Sequence, residues 1–231
     1  MTGTFVSIII PAFNEEKYIE KTIRSVMELS YQKEVIVVDD GSQDNTKKIL
    51  SLLEPIYKEL QVISLEHNQG KGQALMQGVK RAKGEILVFL DADLGETSRY
   101  ATNLIDPVMQ QNIDMTIAIL PKTKKKAGFG LVKGLAQKGI YKITGFKSMA
   151  PLSGQRVMKR DVMTNIDRLD KGFGIEVGLT IDVLKQGFQI QEVEIPFSHR
   201  ETGRDLQGFI HRGKEFIDVF ITLVGKWRMS E

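Results

Sequence analysis

The chain has 231 residues, 42% hydrophobic and 26% charged, which is enough apolar material for one well-buried α/β domain and unlike the composition of disordered or fibrous proteins. Its formal charge of +3 suits anionic ligands such as phosphates and is too small for a nucleic-acid-binding surface. Cysteine is absent, which excludes disulfides and thiolate metal sites, leaves oxygen and imidazole as metal donors, and is consistent with a cytoplasmic setting.

The N-terminus has no basic region followed by a long apolar one, so no signal peptide is expected. The run from Phe5 to Ile10, closed by Pro11, predicts a strand instead. A crossover helix is predicted over 15–29, where Ile19, Ile23, Val26 and Met27 recur at helical spacing beside Glu16, Lys17, Glu20, Lys21 and Arg24. The same reasoning predicts strands at 35–38, 62–65, 86–90 and 115–120, and helices at 45–53, 72–82 and 98–112. Such a βαβαβα order implies a doubly wound, mostly parallel sheet flanked by helices, with its ligand off the carboxyl ends of the strands.

Between 121 and 150 the pattern dissolves into glycines and Lys122, Lys124, Lys125 and Lys126, read as a variable insert with a solvated lysine loop and a weak helix at 131–143. A helix at 176–186, a strand at 188–195 ending before Pro196, and a long amphipathic helix at 207–228 follow. The whole chain is expected to form one domain, with a nucleotide-binding half at 1–120 and an acceptor-side half at 121–231. No apolar stretch approaches the ~20 residues that span a bilayer, so any membrane contact is expected to be peripheral, at the inner face.

Four motifs stand at predicted strand ends. Asp91-Ala92-Asp93 places two carboxylates at i and i+2 of an extended segment, where both reach one hard cation that can bridge a diphosphate. Asp39-Asp40 closes the second strand; Asp39 suits the imide of uracil or a guanine edge, while Asp40 suits either a ligand or a helix cap. Pro11-Ala12-Phe13-Asn14-Glu15 ends the first strand, and Glu15 can bind a ribose hydroxyl. Asn68-Gln69-Gly70-Lys71-Gly72 ends the third with paired glycines and a phosphate-seeking lysine.

In this order and spacing the four motifs resemble family-two glycosyltransferases of the GT-A fold, and within them the dolichyl-phosphate mannose synthases, over about residues 5 to 120. The resemblance implies that Asp39 meets the base, Pro11, Ala12 and Glu15 the nucleoside, and Asp91 and Asp93 a divalent metal and the diphosphate. Ser153-Gly154-Gln155-Arg156 is similar to a mannose-synthase segment whose arginine faces phosphate, a role that a planar guanidinium suits. The stretch 172–179 with His199-Arg200 also resembles the glucosyl-3-phosphoglycerate synthases, in which the histidine is a metal ligand. That implies His199 as third ligand, with manganese preferred over magnesium, and Arg200 beside the phosphates. Glu176, at the start of a helix, is either the dipole-favoured acid of a first turn or a group that orients sugar or acceptor.

Together these imply transfer from a nucleotide diphosphate sugar, UDP-glucose before GDP-mannose, to a phosphate-bearing acceptor such as a polyprenyl phosphate, a small phosphorylated acid or a glycolipid, with Asp93, Arg156 and Glu176 as catalytic groups. A sugar-nucleotide pyrophosphorylase would carry a basic Gly-rich loop after the first strand, where this chain has Pro11 to Glu15. A sugar-nucleotide-binding module without turnover is the non-enzymatic alternative, and no nucleic-acid partner is expected. A homodimer is compatible with the sequence. In the terminal helix, Phe209, Phe216, Phe220, Leu223 and Trp227 form a stripe expected to pack on the sheet or, in the alternative, to lie in part on an anionic membrane, with Ile210, Val219 and Ile221 left outside it and His211, Arg212, Lys214, Lys226 and Arg228 as polar and basic flanks.

Overall fold

The computed structural model describes residues 4–110, 113–121, 130–167, 169–197 and 206–228. Strands β1 (Val6–Ala12), β2 (Lys33–Asp39), β3 (Leu60–Ser64), β4 (Ile86–Phe89), β5 (Met115–Ile119), β6 (Arg156–Lys159) and β7 (Ile190–Glu194) form one sheet in the order β3-β2-β1-β4-β6-β5-β7. All neighbours are parallel except β6, which runs antiparallel to both β4 and β5. Helices α1 (Ile19–Met27), α2 (Thr46–Leu53), α3 (Lys71–Arg81), α4 (Thr102–Gln110), α5 (Gly130–Thr144), α6 (Gly174–Lys185) and α7 (Leu206–Arg228) cover the faces. This is the mostly parallel, helix-flanked α/β sheet expected from the alternating pattern.

β1, β2 and β4 are buried along almost their whole length because helices cover both sheet faces. Ile8, Ile10, Val35, Val37 and Val88 join one core with α1, and Ile9, Ile36, Val38, Leu87 and Phe89 another with α3 and α6. Pro11 extends β1 rather than closing it. Its register with β4 ends at Ile9–Phe89, so no β4 partner stands where its missing N–H would be needed.

Three expectations shift. The predicted helix at 98–112 begins as a 3₁₀ turn, Gly95–Ala101, and becomes α-helical only at Thr102. The predicted 15–29 helix starts at Ile19, since the segment from Phe13 to Tyr18 is shaped by bonds to its neighbouring loop. The weak helix of the insert is a full one, α5, while Lys122, Lys124, Lys125 and Lys126 lie outside the described residues.

Among the described residues, the terminal helix α7 packs on α5 and α6 rather than on the sheet. Its inward face carries Val219 and Leu223, which join Val132, Ala136, Ile140, Val177 and Ile181 in a third core. Phe216, Phe220 and Trp227 are exposed while Leu223 of the same expected stripe is buried, so the stripe is split, and Val219, expected outside it, is buried. Lys226 is not a basic flank either: it turns inward to Asp182 and to Asp170, 3.3 Å away. Phe209, Ile210 and Arg212 lie among side chains outside the description.

α3 lies close on the sheet because Gly78 has no side chain; a Cβ there would stand 2.3 Å from Ile9 Cγ2. Gly78→Ala must therefore lift the helix or displace a central strand, and overpacking of this kind costs about 1–3 kcal/mol. Urea unfolding should show that loss as a lower midpoint with unchanged slope.

Candidate active site

The carboxyl ends of β1, β2 and β3 are level, with Ala12 opposite Asp39 and Asp39 opposite Ser64, and β4 ends on the same edge. Loops leaving these ends enclose a cleft of about 440 Å³ bordered by Pro11, Ala12, Glu15, Asp40, Lys71, Asp91 and Asp93. A neighbouring recess of about 290 Å³ holds Asp39, Ser42 and His67, and shares Phe13 and Asn68 with the cleft. Every expected site residue of the first half thus borders one of two adjoining spaces.

The recess is shaped by two loops sewn together. Asn14, in the left-handed region at φ 57°, donates its N–H to Ser42 Oγ at 2.9 Å, and its side-chain oxygen accepts from Gln43 N at 2.8 Å. Thr46 Oγ1 accepts from Glu15 N, and Asp44 from Glu16 N and Thr46 N. Gly41, at φ 73°, lets this loop approach the backbone of His67, which a Cβ would meet at 2.7 Å. Asp39 is buried and accepts from Ser42 N at 3.1 Å.

Asp40 does not cap the helix that follows its own strand. Its two oxygens accept from Gln69 N at 2.7 Å and Gly70 N at 2.8 Å, clamping the loop that presents Lys71. Lys71 Nζ then lies 2.8 Å from Asp91 Oδ1 and 3.1 Å from Glu176 Oε1. Burial opposes the lysine's charge, but the two carboxylates outweigh it and raise its pKa above the ordinary value, so it stays protonated.

Asp91 is held from a second side. The side-chain amide of Gln155 accepts from Asp91 N at 2.9 Å and donates to Asp91 Oδ2 at 2.5 Å. Antiparallel β6 makes this possible, because pairing Arg156 with Phe89 sets Gln155 beside the exit of β4. Buried Thr22 of α1 fixes the same loop, accepting from Gly95 N and donating to Ala92 O. Gly154 leaves room for the lysine: a Cβ there would stand 2.5 Å from Lys71 Nζ. Gln155 and Thr22 escape sequence reasoning, the first as the variable position of a motif, the second as one polar residue in an amphipathic helix.

Arg156 requires correction. It is 1% exposed and donates to Ser153 O, Thr180 Oγ1 and Glu176 O, so its guanidinium braces β6 and α6 and does not face the cleft. Burial lowers its pKa to about 10, which leaves it charged at neutral pH. Its side chain sets the backbone of Glu176, whose carboxylate does reach the site.

Asp91 and Asp93 offer hard oxygen donors, and Asp91 already draws a cation, the lysine ammonium, so the pair fits a divalent metal by chemistry and charge. Among the described residues no third His, Asp or Glu joins them in a metal-binding group. His199 and Arg200 lie outside the described residues.

Residues 7–165 match the family model described as Glycosyl transferase family 2. The chain belongs to glycosyl transferase family 2. It is 35% identical over 120 residues to glycosyltransferase AglE of Haloferax volcanii, covering 50% of this chain and 40% of that protein. It is 32% identical over 169 residues to the prophage bactoprenol glucosyl transferase homolog of Escherichia coli, covering 70% and 54%. The chain spans about half the length of these curated relatives. Among solved structures, glucosyl-3-phosphoglycerate synthase of Mycobacterium tuberculosis, in complex with Mn²⁺, UDP-glucose and phosphoglyceric acid, superposes with a TM-score of 0.79 at 25% identity, over 97% of this chain and 80% of that one. The same enzyme has been crystallised with Mg²⁺ and UDP. The fold is thus GT-A, and this family-two chain places its strand-end carboxylates on a GT-A sheet.

Two predictions follow from these contacts. Replacing Gln155 with Ala frees Asp91 on one side, and loss of such an orienting partner costs about 10- to 100-fold in metal affinity or activity; divalent-metal binding by calorimetry should weaken by that factor, and Gln155→Glu, which keeps the volume but repels Asp91, should weaken it as much. Asp44 concerns pH: burial alone would raise it, but hydrogen bonds from Thr46 and Glu16 hold it below the usual carboxylate value. Its folded pKa is depressed, so its stabilisation is present above the unfolded pKa and is lost as pH falls through the folded one. Asp44→Asn should therefore lower the melting temperature at neutral pH and converge with the parent in strong acid.

Proposed function

We propose that this chain transfers a hexosyl group, glucosyl first, from a nucleotide diphosphate sugar to a phosphate-bearing acceptor, with polyprenyl phosphate the leading candidate. The observation that carries the proposal is the Asp91–Lys71–Glu176 bridge inside the strand-end cleft, beside Asp93 and next to the recess that holds Asp39. UDP-glucose is favoured over GDP-mannose because the GT-A neighbour that covers nearly the whole chain binds it. A bactoprenol glucosyl transferase homolog among the relatives supports a lipid-borne phosphate, and phosphoglyceric acid in the neighbour supports a small phosphorylated acid as the second reading.

In the proposed reaction an acceptor phosphate oxygen forms a bond to the anomeric carbon while that carbon's bond to the diphosphate breaks and the nucleoside diphosphate leaves. A phosphate oxygen is already nucleophilic, so no strong base is required. Asp39 receives the base edge, and Glu15 a ribose hydroxyl. A divalent metal held by Asp91 and Asp93, with His199 as the proposed third ligand and Arg200 beside the phosphates, would supply charge to the departing diphosphate. Lys71, kept protonated by its neighbours, adds positive charge at the same place. Glu176 orients the sugar or acceptor from the first turn of α6, with its backbone held by Arg156.

Asp93→Ala should lower release of nucleoside diphosphate by roughly two to three orders of magnitude, the scale of losing an electrostatic group at a developing charge, without altering the circular dichroism spectrum. A donor screen on the parent chain, with manganese and with chelator, checks both donor and metal. Polyprenyl phosphate and 3-phosphoglycerate as parallel acceptors separate the two readings; turnover with neither, or full turnover in excess chelator, counts against the proposal.

A further inference from the structure

α7 has two apolar faces, and among the described residues only one is packed. The inward face packs on α5 and α6, while Phe216, Ile217, Phe220, Ile221, Val224 and Trp227 on the other side are 36% to 62% exposed. At 3.6 residues per turn these six fill an arc of about 140°. Burying a single apolar side chain is worth enough that six left in water on one helix mark an interaction surface.

Among the described residues, the charges around this arc have one sign. Lys214 and Arg228 are exposed at its margin. The acids of α7 turn away: Glu215 is 3% exposed, and Asp218 accepts from Phe173 N at 3.3 Å. α5 continues the surface, since Lys142 Nζ stands 4.6 Å over the Trp227 ring, and α5 has no acidic residue to offset it. An apolar arc with aromatic residues and a purely basic margin is the pattern of a helix lying in the headgroup region of a bilayer. A second copy fits less well, because a two-fold contact would set this patch against itself and leave its basic residues facing each other without acids to pair them. No helix among the described residues is long and apolar enough to cross a membrane, so the surface suits lying on one.

We propose that the joined α5–α7 surface docks on an anionic membrane and so presents the cleft to an acceptor carried in the lipid. The link to the site is short: Asp218 of α7 holds Phe173, three residues before Glu176. The docking deepens the proposed transfer to polyprenyl phosphate, resting on that reading for its purpose but not for its occurrence.

The test sediments the full chain, without donor or metal, with vesicles of phosphatidylcholine alone and of phosphatidylcholine mixed with phosphatidylglycerol. The chain should pellet with the anionic vesicles at low salt and be released as salt screens the charges. Lys214→Gln and Arg228→Gln should each weaken binding roughly fivefold, and Phe220→Ser with Ile221→Ser at least about tenfold. All four positions are exposed, so the melting temperatures should not change. Three results overturn the proposal: a chain that stays in the supernatant with anionic vesicles, equal salt-insensitive binding to neutral ones, or a dimer seen by light scattering that Phe220→Ser with Ile221→Ser dissociates. Release of nucleoside diphosphate in vesicle-free solution, with detergent-solubilised polyprenyl phosphate as acceptor, keeps the two readings apart. Intact release without vesicle binding removes the docking alone, and vesicle binding without release from any donor removes the transfer reading alone.

Discussion

Carboxylates crowd one edge of this sheet, and a buried carboxylate is costly unless hydrogen-bond donors meet it. Asp39 takes the Ser42 amide, Asp40 the amides of Gln69 and Gly70, and Asp91 the Gln155 side chain. Lys71 stands between Asp91 and Glu176 and serves both. Much of the local architecture follows from this need. The loop after β3 is pinned by Asp40 so that Lys71 points inward, and Gly154 is small so that the ammonium fits. The same lysine gives the cleft a positive centre among negative walls.

The antiparallel strand β6 carries more than its four residues suggest. It puts Gln155 against Asp91, and it buries Arg156 under α6, where the guanidinium meets Thr180 and the carbonyl of Glu176. A buried cation is costly unless its donors are satisfied. Here they are shared between strand and helix, so the two elements that bring Asp91 and Glu176 together are tied at the base. A one-residue slip of β6 would break the brace and the Gln155 clamp at once.

The helical layer α5–α6–α7 joins the site to the far surface. α6 contributes Glu176 at its first turn, packs one side on the sheet and turns another toward α5 and α7. Close approach depends on small residues: a Cβ on Gly174 or Gly178 would lie within about 2 Å of Thr222 or Asp170. That close packing leaves the outer half of α7 uncovered, with its apolar arc toward solvent.

The strands, crossover helices and strand-end motifs of the first half were legible in the sequence, because buried β-branched runs and helical periodicity are local signals and a parallel sheet gathers its strand ends at one edge. So Pro11, Ala12, Glu15, Asp39, Asp40, Lys71, Asp91 and Asp93 all border the cleft or its recess. What tertiary structure alone decided are matters of partnership across long separations. Strand β6 is too short to show a period, and whether Arg156 faces a phosphate or a helix depends on where α6 lies. Gln155 reaches Asp91 across 64 residues of chain. The stripe of α7 reads as core from its own sequence, yet which side is buried was settled by α5 and α6, whose small residues receive Val219 and Leu223 and leave the aromatic side chains outside.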